Sequence, residues 1–325
     1  MAKRVLVTGG AGFIGSHVCE YFLDRGWSVD IVDDLSTGKR ANVPAAATLH
    51  VLDVRSADGA RLVREARADV IVHLAAQMDV RKSVADPVFD AGVNIAGTLN
   101  LVEALRATPQ ARTTRVVFSS TGGVLYGDLS QPPNVETALK DPDSPYAISK
   151  LSAEYYLSYF ARVHGMDTVA LRFGNVYGPR QDPHGEAGVV AIFCGRILDA
   201  QPLTVFGDGL QTRDYVFVRD VAQATFMAAT QPLPAAQRVD ARGINIGTGV
   251  GTPVIDLATA LLRISGSTVP VRYAPPRPGE PQHSFLEVRK AADVLGWRPS
   301  TRLDSGLSDS FRWFEARHAA PAARA

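Results

Sequence analysis

The chain has 325 residues, 46% of them hydrophobic and 21% charged, a composition that excludes a disordered or fibrous protein. Thirty-four Lys and Arg nearly balance 33 Asp and Glu for a formal charge of +1, with the signs interspersed, so the basic surplus of a nucleic-acid binder is missing. No run reaches the roughly 18 consecutive apolar residues of a membrane span, and two cysteines, Cys19 and Cys194, make neither a disulfide framework nor a Cys-based zinc site.

In chain order, apolar runs lie at 4–8, 28–32, 48–52, 70–74, 115–119 and 168–172. They are continuously apolar rather than alternating, as parallel strands covered on both faces should be. Between them, 17–25, 93–107 and 146–164 carry the 3.6-residue period of helices. Strand and helix in alternation predict an α/β fold, a Rossmann-type doubly wound parallel sheet over 1–175. From 176 to 325 prolines and glycines punctuate the chain, as at Gly178-Pro179, Gly207-Asp208-Gly209 and Pro275-Pro276-Arg277-Pro278-Gly279. Shorter, less regular elements are expected there. They would form a smaller C-terminal substrate-binding lobe, with the chain crossing between lobes and 316–325 a frayed tail. Ligands of open parallel sheets bind at the carboxyl ends of the strands, so the crevice between the lobes is the expected site. Lys3 and Arg4 before Val5-Leu6-Val7 imitate a secretion signal, but four glycines between Thr8 and Gly15 interrupt it. A cytoplasmic protein is expected.

Directly after the first run comes Gly9-Gly10-Ala11-Gly12-Phe13-Ile14-Gly15. Glycines at 9, 12 and 15 let the backbone turn sharply and approach a pyrophosphate, and the helix N-terminus with Phe13 and Ile14 presents N–H groups to it. Asp33 follows the second run, 18 residues beyond Gly15. A carboxylate there accepts hydrogen bonds from the adenosine ribose and repels a 2′-phosphate, so NAD is expected over NADP despite Lys39 and Arg40 nearby. Asp53, with Val54 after the third run, either meets the adenine edge or serves as a turn carboxylate.

Tyr146 and Lys150 stand four apart at the start of a helix signalled by Ser144-Pro145, hence on one face about a turn apart. An ammonium beside a phenol favours the phenolate. Such a phenolate can take a proton from a sugar hydroxyl as hydride leaves the adjoining carbon. Many surface helices carry Tyr-x-x-x-Lys. Here Ser119-Ser120-Thr121 brings hydroxyls to the same sheet edge, and with the glycine turn this makes a catalytic constellation.

With these pieces the chain resembles the extended short-chain dehydrogenase/reductases, and within them the nucleotide-sugar epimerases of the UDP-glucose 4-epimerase group. The resemblance runs over 1–315. It rests on 9–15, Asp33, His73-Leu74-Ala75-Ala76, Ser-Ser-Thr-Gly-Gly-Val-Leu-Tyr-Gly at 119–127 and Tyr146 with Lys150. It continues through Asn-Val-Tyr-Gly-Pro-Arg-Gln-Asp-Pro-His-Gly-Glu-Ala-Gly-Val-Val at 175–190 and Arg-Asp-Tyr-Val at 213–216. It implies an NAD+ regenerated in every turnover, contacted also by Ala75 and Lys150. Tyr146 would remove the 4-hydroxyl proton, and a Ser or Thr hydroxyl would bridge sugar O4 and the tyrosine. The family's usual hydroxyl position falls on Gly122; with a one-residue insertion, Thr121 is expected to supply it, and Ser120 after that. Related 4,6-dehydratases carry Asp-Glu here and related decarboxylases a Glu. This chain has Gly122, Gly123 and Val124, so a 4-keto sugar could only be reduced again. Arg213 and Arg277 match the family's diphosphate arginines, whose forks grip phosphate oxygens. Asn175 matches its asparagine near the diphosphate, Phe206 the position whose backbone meets uracil, and Glu280 the contact to the uridine ribose. Ser284 stands where a bulky aromatic would exclude a C2 N-acetyl group, which implies that UDP-N-acetylhexosamines are taken alongside UDP-glucose and UDP-galactose.

Three other functions compete with a UDP-hexose 4-epimerase. One is a 4-epimerase of another nucleotide sugar, such as UDP-glucuronate met by Arg180 or Arg196. A net NAD-dependent nucleotide-sugar oxidoreductase would exchange free cofactor. A non-catalytic NAD-binding regulator has no use for Tyr146 and Lys150 beside a hydroxyl. No metal is expected, because His164, His184 and His283 are scattered. The resemblance further implies a homodimer through the helices over 93–107 and 146–164.

Overall fold

The computed structural model describes residues 2–127, 130–183, 188–276 and 281–319. Its first half runs β1 (Arg4–Thr8), α1 (Phe13–Leu23), β2 (Ser28–Asp33), β3 (Thr48–Val51), α2 (Ala57–Ala66) and β4 (Val70–His73). Next come α3 (Val80–Ala85), α4 (Pro87–Ala91), a π-helical turn at Gly92–Ala96 and α5 (Gly97–Arg106). β5 (Arg115–Thr121), α6 (Pro145–His164) and β6 (Asp167–Phe173) complete it. The second half holds β7 (Asn175–Tyr177), α7 (Val189–Leu198), β8 (Leu203–Phe206), β9 (Thr212–Arg213), β10 (Tyr215–Phe217) and α8 (Val218–Thr230). It closes with β11 (Gly243–Ile246), β12 (Thr252–Pro253), α9 (Val254–Ser265), β13 (Val271–Ala274), β14 (His283–Ser284) and α10 (Leu303–His318).

The main sheet has the order β11-β6-β5-β4-β1-β2-β3, with all seven strands parallel. This is the Rossmann-type α/β arrangement. Strand order reverses at β1, between β2 and β4, and the crevice outside the carboxyl ends of these strands is where such sheets bind ligands. Val5, Val7, Val72, Val117 and Leu171 join one core with α1 and α8, whereas Leu6, Ile71, Val116 and Phe118 join another with α2, α5 and α6. Burial from both sides is why the runs are continuously apolar. Phe22 anchors the first core edge-on to Trp27 and Phe226, at 5.2 and 5.1 Å between ring centres; trimming it to alanine would cost about 3–5 kcal/mol.

Local signals set α6, the helix that holds Tyr146 and Lys150. Ser144 Oγ accepts the Ala147 N–H at 3.2 Å, Pro145 occupies the first turn, and Gly165 ends α6 at φ +68. The helix expected over 93–107 differs: α5 begins only at Gly97, behind the π-helical turn, which buries the polar Asn94. An apolar period cannot reveal such a turn. The second half is also more helical than its prolines and glycines suggested, since those residues mark turns between helices rather than replacing them. Here α8 packs on α1 and β11 pairs with β6, so the second half of the chain returns to the sheet. Around β8, α7, α9 and α10 build a separate core with Phe193, Leu203, Leu257 and Phe311. Among the described residues no helix is long and apolar enough to cross a membrane, and no His, Cys, Asp and Glu group is placed to hold a metal ion.

Candidate active site

The turn between β1 and α1 brings bare backbone to the crevice. Gly9 has φ +74, and a Cβ there would lie 2.7 Å from the Ala75 nitrogen; on Gly15 it would lie 2.0 Å from the Gly9 carbonyl oxygen. Side chains are therefore excluded at both positions. α1 begins behind Gly12 with no side-chain cap, so its first-turn N–H groups, those of Phe13 and Ile14 among them, suit a phosphate oxygen. Asp33 ends β2 with its carboxylate pinned beside this turn: Oδ2 accepts from the Ala11 N–H and Oδ1 from the Leu35 N–H, both at 2.9 Å. Burial raises its carboxyl above the usual range, against the pull of those two bonds. Each oxygen keeps a lone pair for a ribose hydroxyl. These features fit a dinucleotide. Asp53 is forked by Arg55, Nε and Nη2 donating at 2.6–3.0 Å, which holds its carboxyl below the usual range. Val54 is buried, with its carbonyl accepting from Asn100, and the Ala75 N–H donates to Thr8 Oγ1 at 3.2 Å. Lys39 is paired with Asp182 at 2.9 Å.

α6 carries Lys150 to the carboxyl end of β5, with Tyr146 one turn before it on the helix. Tyr146 is half-buried, and its N–H donates to Ser83 Oγ at 3.2 Å. Lys150 is only 2% exposed; its Nζ donates to the Ser119 carbonyl at 2.9 Å and lies 4.8 Å from the centre of the Phe118 ring. Burial draws its pKa down to about 8, against the opposing pull of Asp90 and Glu154. The ammonium therefore persists at neutral pH. Ser120 Oγ is buried with no hydrogen-bond partner among the described residues, and Thr121 is the buried last residue of the strand. Beyond it, the Gly122 N–H donates to the Phe173 carbonyl at 2.7 Å, and a Cβ on Gly122 would stand 2.6 Å from Leu286 Cδ1. Gly122 lets the chain pass under Leu286. His73, hydrogen-bonded to Thr8 Oγ1 and Thr98 Oγ1 at 2.7 and 2.9 Å, is held neutral at about 3 by burial and then by Lys150.

Asp214, which sequence reasoning missed, ties the backbone of Asn175 to the 248–249 and 286 segments. Its buried carboxylate accepts from the Thr248 N–H and Oγ1 at 2.6 and 2.7 Å, from Gly249 at 3.1 Å and from Leu286 at 3.2 Å. Burial keeps its carboxyl above the usual range. The Asn175 N–H donates to its carbonyl at 2.6 Å. β14 pairs with β9, which sets Ser284 beside Arg213, and Arg213 Nη1 donates to the Thr212 carbonyl at 2.9 Å. Ser284 is buried, its Oγ donating to the Gly123 carbonyl at 2.9 Å. Phe206 ends β8, its carbonyl accepting from Gln211 at 2.9 Å. Arg277 and Glu280 lie outside the described residues. Of the arginines offered for a sugar carboxylate, Arg180 pairs with Glu20 and Arg196 donates to the Pro202 carbonyl at 3.0 Å. Sequence reasoning also missed a buried polar group beside Lys150, made of Gln77, Asp90, Asn94 and Ser149, because its members come from the loop after β4, α4, the π-helical turn and α6, and only Asp90 and Asn94 share a helical spacing.

Known proteins with this geometry are similar throughout. Residues 5–247 match the model of the NAD dependent epimerase/dehydratase family. A UDP-glucose 4-epimerase of Mycolicibacterium smegmatis is 42% identical over 316 residues, spanning 96% of this chain and 98% of the relative. The structure of a UDP-glucose 4-epimerase from Thermotoga maritima with UDP-glucose superposes with a TM-score of 0.90 at 42% identity, covering 97% of this chain and 99% of that one. A Thermus thermophilus UDP-glucose 4-epimerase in complex with NAD gives a TM-score of 0.88 at 44% identity, covering 98% and 100%.

Proposed function

This chain belongs to the NAD dependent epimerase/dehydratase family, and from that membership we propose that it interconverts UDP-glucose and UDP-galactose at sugar C4 with a tightly held NAD+. The observation that carries the proposal is the Lys150 ammonium bonded to the Ser119 carbonyl near the end of β5, with Tyr146 a turn before it on α6 and Ser120 and Thr121 next along the strand, beside a 122–124 loop that holds no acid or base.

NAD, when bound, supplies a hydride acceptor that gives the hydride back to the oxidised sugar. The glycine turn with the Phe13 and Ile14 amides would hold its pyrophosphate, Asp33 its adenosine ribose, and Ala75 and Lys150 its nicotinamide end. The Lys150 ammonium favours the Tyr146 phenolate. Tyr146 Oη takes the 4-hydroxyl proton and returns it to the same oxygen. Thr121, nearest the carboxyl end of the strand, is assigned the bridge between sugar O4 and the phenol. With no carboxyl group in 122–124, nothing there eliminates water or assists decarboxylation. Arg213 and Asn175 take the diphosphate, joined by Arg277, while the Phe206 backbone meets uracil and Glu280 the uridine ribose. The small Ser284 side chain, turned onto Gly123, supports acceptance of UDP-N-acetylhexosamines.

Exposed apolar side chains on α3, α4 and α6, namely Val84, Val88, Phe89, Ile148, Tyr155 and Tyr159, support a homodimer. Two buried free thiols, Cys19 and Cys194, suit the reducing cytoplasm. Proton NMR of the purified protein with UDP-galactose and no added cofactor is expected to show the anomeric signal of UDP-glucose, settling at a constant mixture. Absence of any conversion, with NAD+ also supplied, overturns the proposal.

A further inference from the structure

Asp90, on α4, is fully buried and has no part in the chemistry above. Its Oδ1 accepts from Gln77 Nε2 at 3.0 Å and from Asn94 Nδ2 at 3.1 Å, while its Oδ2 is buried with no hydrogen-bond partner among the described residues. A carboxylate removed from water, with two neutral amides on one oxygen and none on the other, is costly unless a positive charge stands close. α4 packs against α6, and among the charges that oppose loss of the Lys150 proton Asp90 ranks first. The cluster is also tied into the catalytic helix. Asn94 Nδ2 lies 3.0 Å from Ser149 Oγ, which donates to the Tyr146 carbonyl at 2.9 Å.

We propose that Asp90 is a positioning residue for the reaction, the buried counter-charge that keeps the Lys150 ammonium protonated over the working pH range, with Gln77 and Asn94 fixing its carboxylate. It acts through Lys150 and touches neither sugar nor cofactor. The other groups that face Lys150 do not substitute for it. Glu154, a turn further along α6, is drawn onto Arg172 by a 2.7 Å ion pair. His73, on β4, stays neutral, held at about 3. Tyr146, on α6, is the phenol that Lys150 serves, and β5 contributes only the Ser119 carbonyl and the Phe118 ring.

The catalytic half of this proposal rests on the epimerase function; the electrostatic half is readable on the resting protein. The chain has six lysines, so a spectrum of protein carrying 13C at the lysine ε position resolves Lys150, assigned by its loss in Lys150→Arg. In wild type its midpoint is expected at about 8. Asp90→Asn keeps an oxygen for the Gln77 and Asn94 donors and places its amide nitrogen where Oδ2 had no partner, so the charge goes and the bonds stay. The Lys150 midpoint should then fall by about one pH unit or more. The alkaline limb of kcat/KM for UDP-galactose should move down with it. Removing a negative charge favours deprotonation of both phenol and ammonium, so neither limb should move up. Asp90→Ser serves if the asparagine variant does not fold. An unmoved Lys150 midpoint overturns the counter-charge; a moved midpoint with an unmoved rate profile overturns its service to catalysis. A purely structural residue would lower the rate while leaving both midpoints in place. If wild type turned over no UDP-hexose, the epimerase assignment would fall, and the lysine titration would still decide the role of Asp90.

Discussion

Gly15→Ala tests the cofactor turn where space is tightest. The added Cβ would stand 2.0 Å from the Gly9 carbonyl oxygen and 2.8 Å from the Gly10 Cα, where non-bonded carbon atoms settle at about 3.5–4.0 Å. Both obstacles are backbone, so no rotamer change relieves them and the turn must move by about an ångström or more. That movement strains the Gly9 N–H bond to the Val32 carbonyl, 2.8 Å, and the Gly12 N–H bond to Gly9, 3.1 Å, and shifts the amides meant for the pyrophosphate. Overpacking of this kind costs about 1–3 kcal/mol; carried by the binding conformation, it weakens NAD about fivefold to 150-fold. Two neighbours calibrate the effect. Gly9→Ala pays for φ +74 and a 2.7 Å approach to Ala75, whereas Gly12→Ala meets only the Gly9 oxygen at 3.2 Å from an ordinary φ of −78. The expected order of loss is Gly15, Gly9, Gly12. NAD released from purified protein by acid and read by absorbance, calorimetric Kd values and thermal midpoints measure it. Wild-type NAD affinity and midpoint in Gly15→Ala would refute the geometry of the turn.

Tyr146→Phe should lower kcat by about 10²–10⁴-fold with NAD content unchanged, and Thr121→Ala should cost more kcat than Ser120→Ala; the reverse ranking in progress curves moves the O4 bridge to Ser120. His17 and His73 are held neutral by burial at about 4 and about 3, below the unfolded value of about 6.5. Acid therefore charges the unfolded chain first, and each histidine removes about 1.4 kcal/mol of stability per pH unit from pH 6.5 down to its folded value. The raised carboxyls of Asp33 and Asp214 act in the opposite sense, so the check is the difference in urea midpoint between wild type and His73→Asn from pH 7 to 5; parallel slopes sink the expectation. Ser284→Tyr has to enter a buried position bonded to Gly123 and should lose turnover on UDP-N-acetylglucosamine far more than on UDP-galactose. Comparable turnover of the acetylated sugar by variant and wild type removes Ser284 as the gate.

What could be read from the chain alone follows from how local each physical demand is. Two-sided burial imposes largely apolar runs on the inner strands β1, β2, β4, β5 and β6, which made them visible, while the half-exposed edge strand β3 showed only the short run around Leu49 and Val51. A backbone that must approach a phosphate excludes side chains at fixed spacing, which made 9–15 visible, and a shared helix face did the same for Tyr146 and Lys150. β11 was not visible as a sheet strand, because four residues at Gly243–Ile246 are too few to show a period, and its partner β6 lies far back in the chain. The π-helical turn that buries Asn94 breaks the very period used to find helices. Asp214 appeared only as the residue after an arginine, and its four donors arrive from positions 248, 249 and 286. Asp90 is the extreme case. A lone carboxylate in an apparently amphipathic stretch reads as a solvent-facing residue, and only the fold reveals that both it and Lys150 are buried. Periodicity reports which face of one element is covered. It carries no information on which distant charge balances a charge placed on that face. A site that depends on a buried ammonium will therefore hide its counter-ion from the sequence, and the place to look for it is the helix packed against the lysine rather than the motif that contains it.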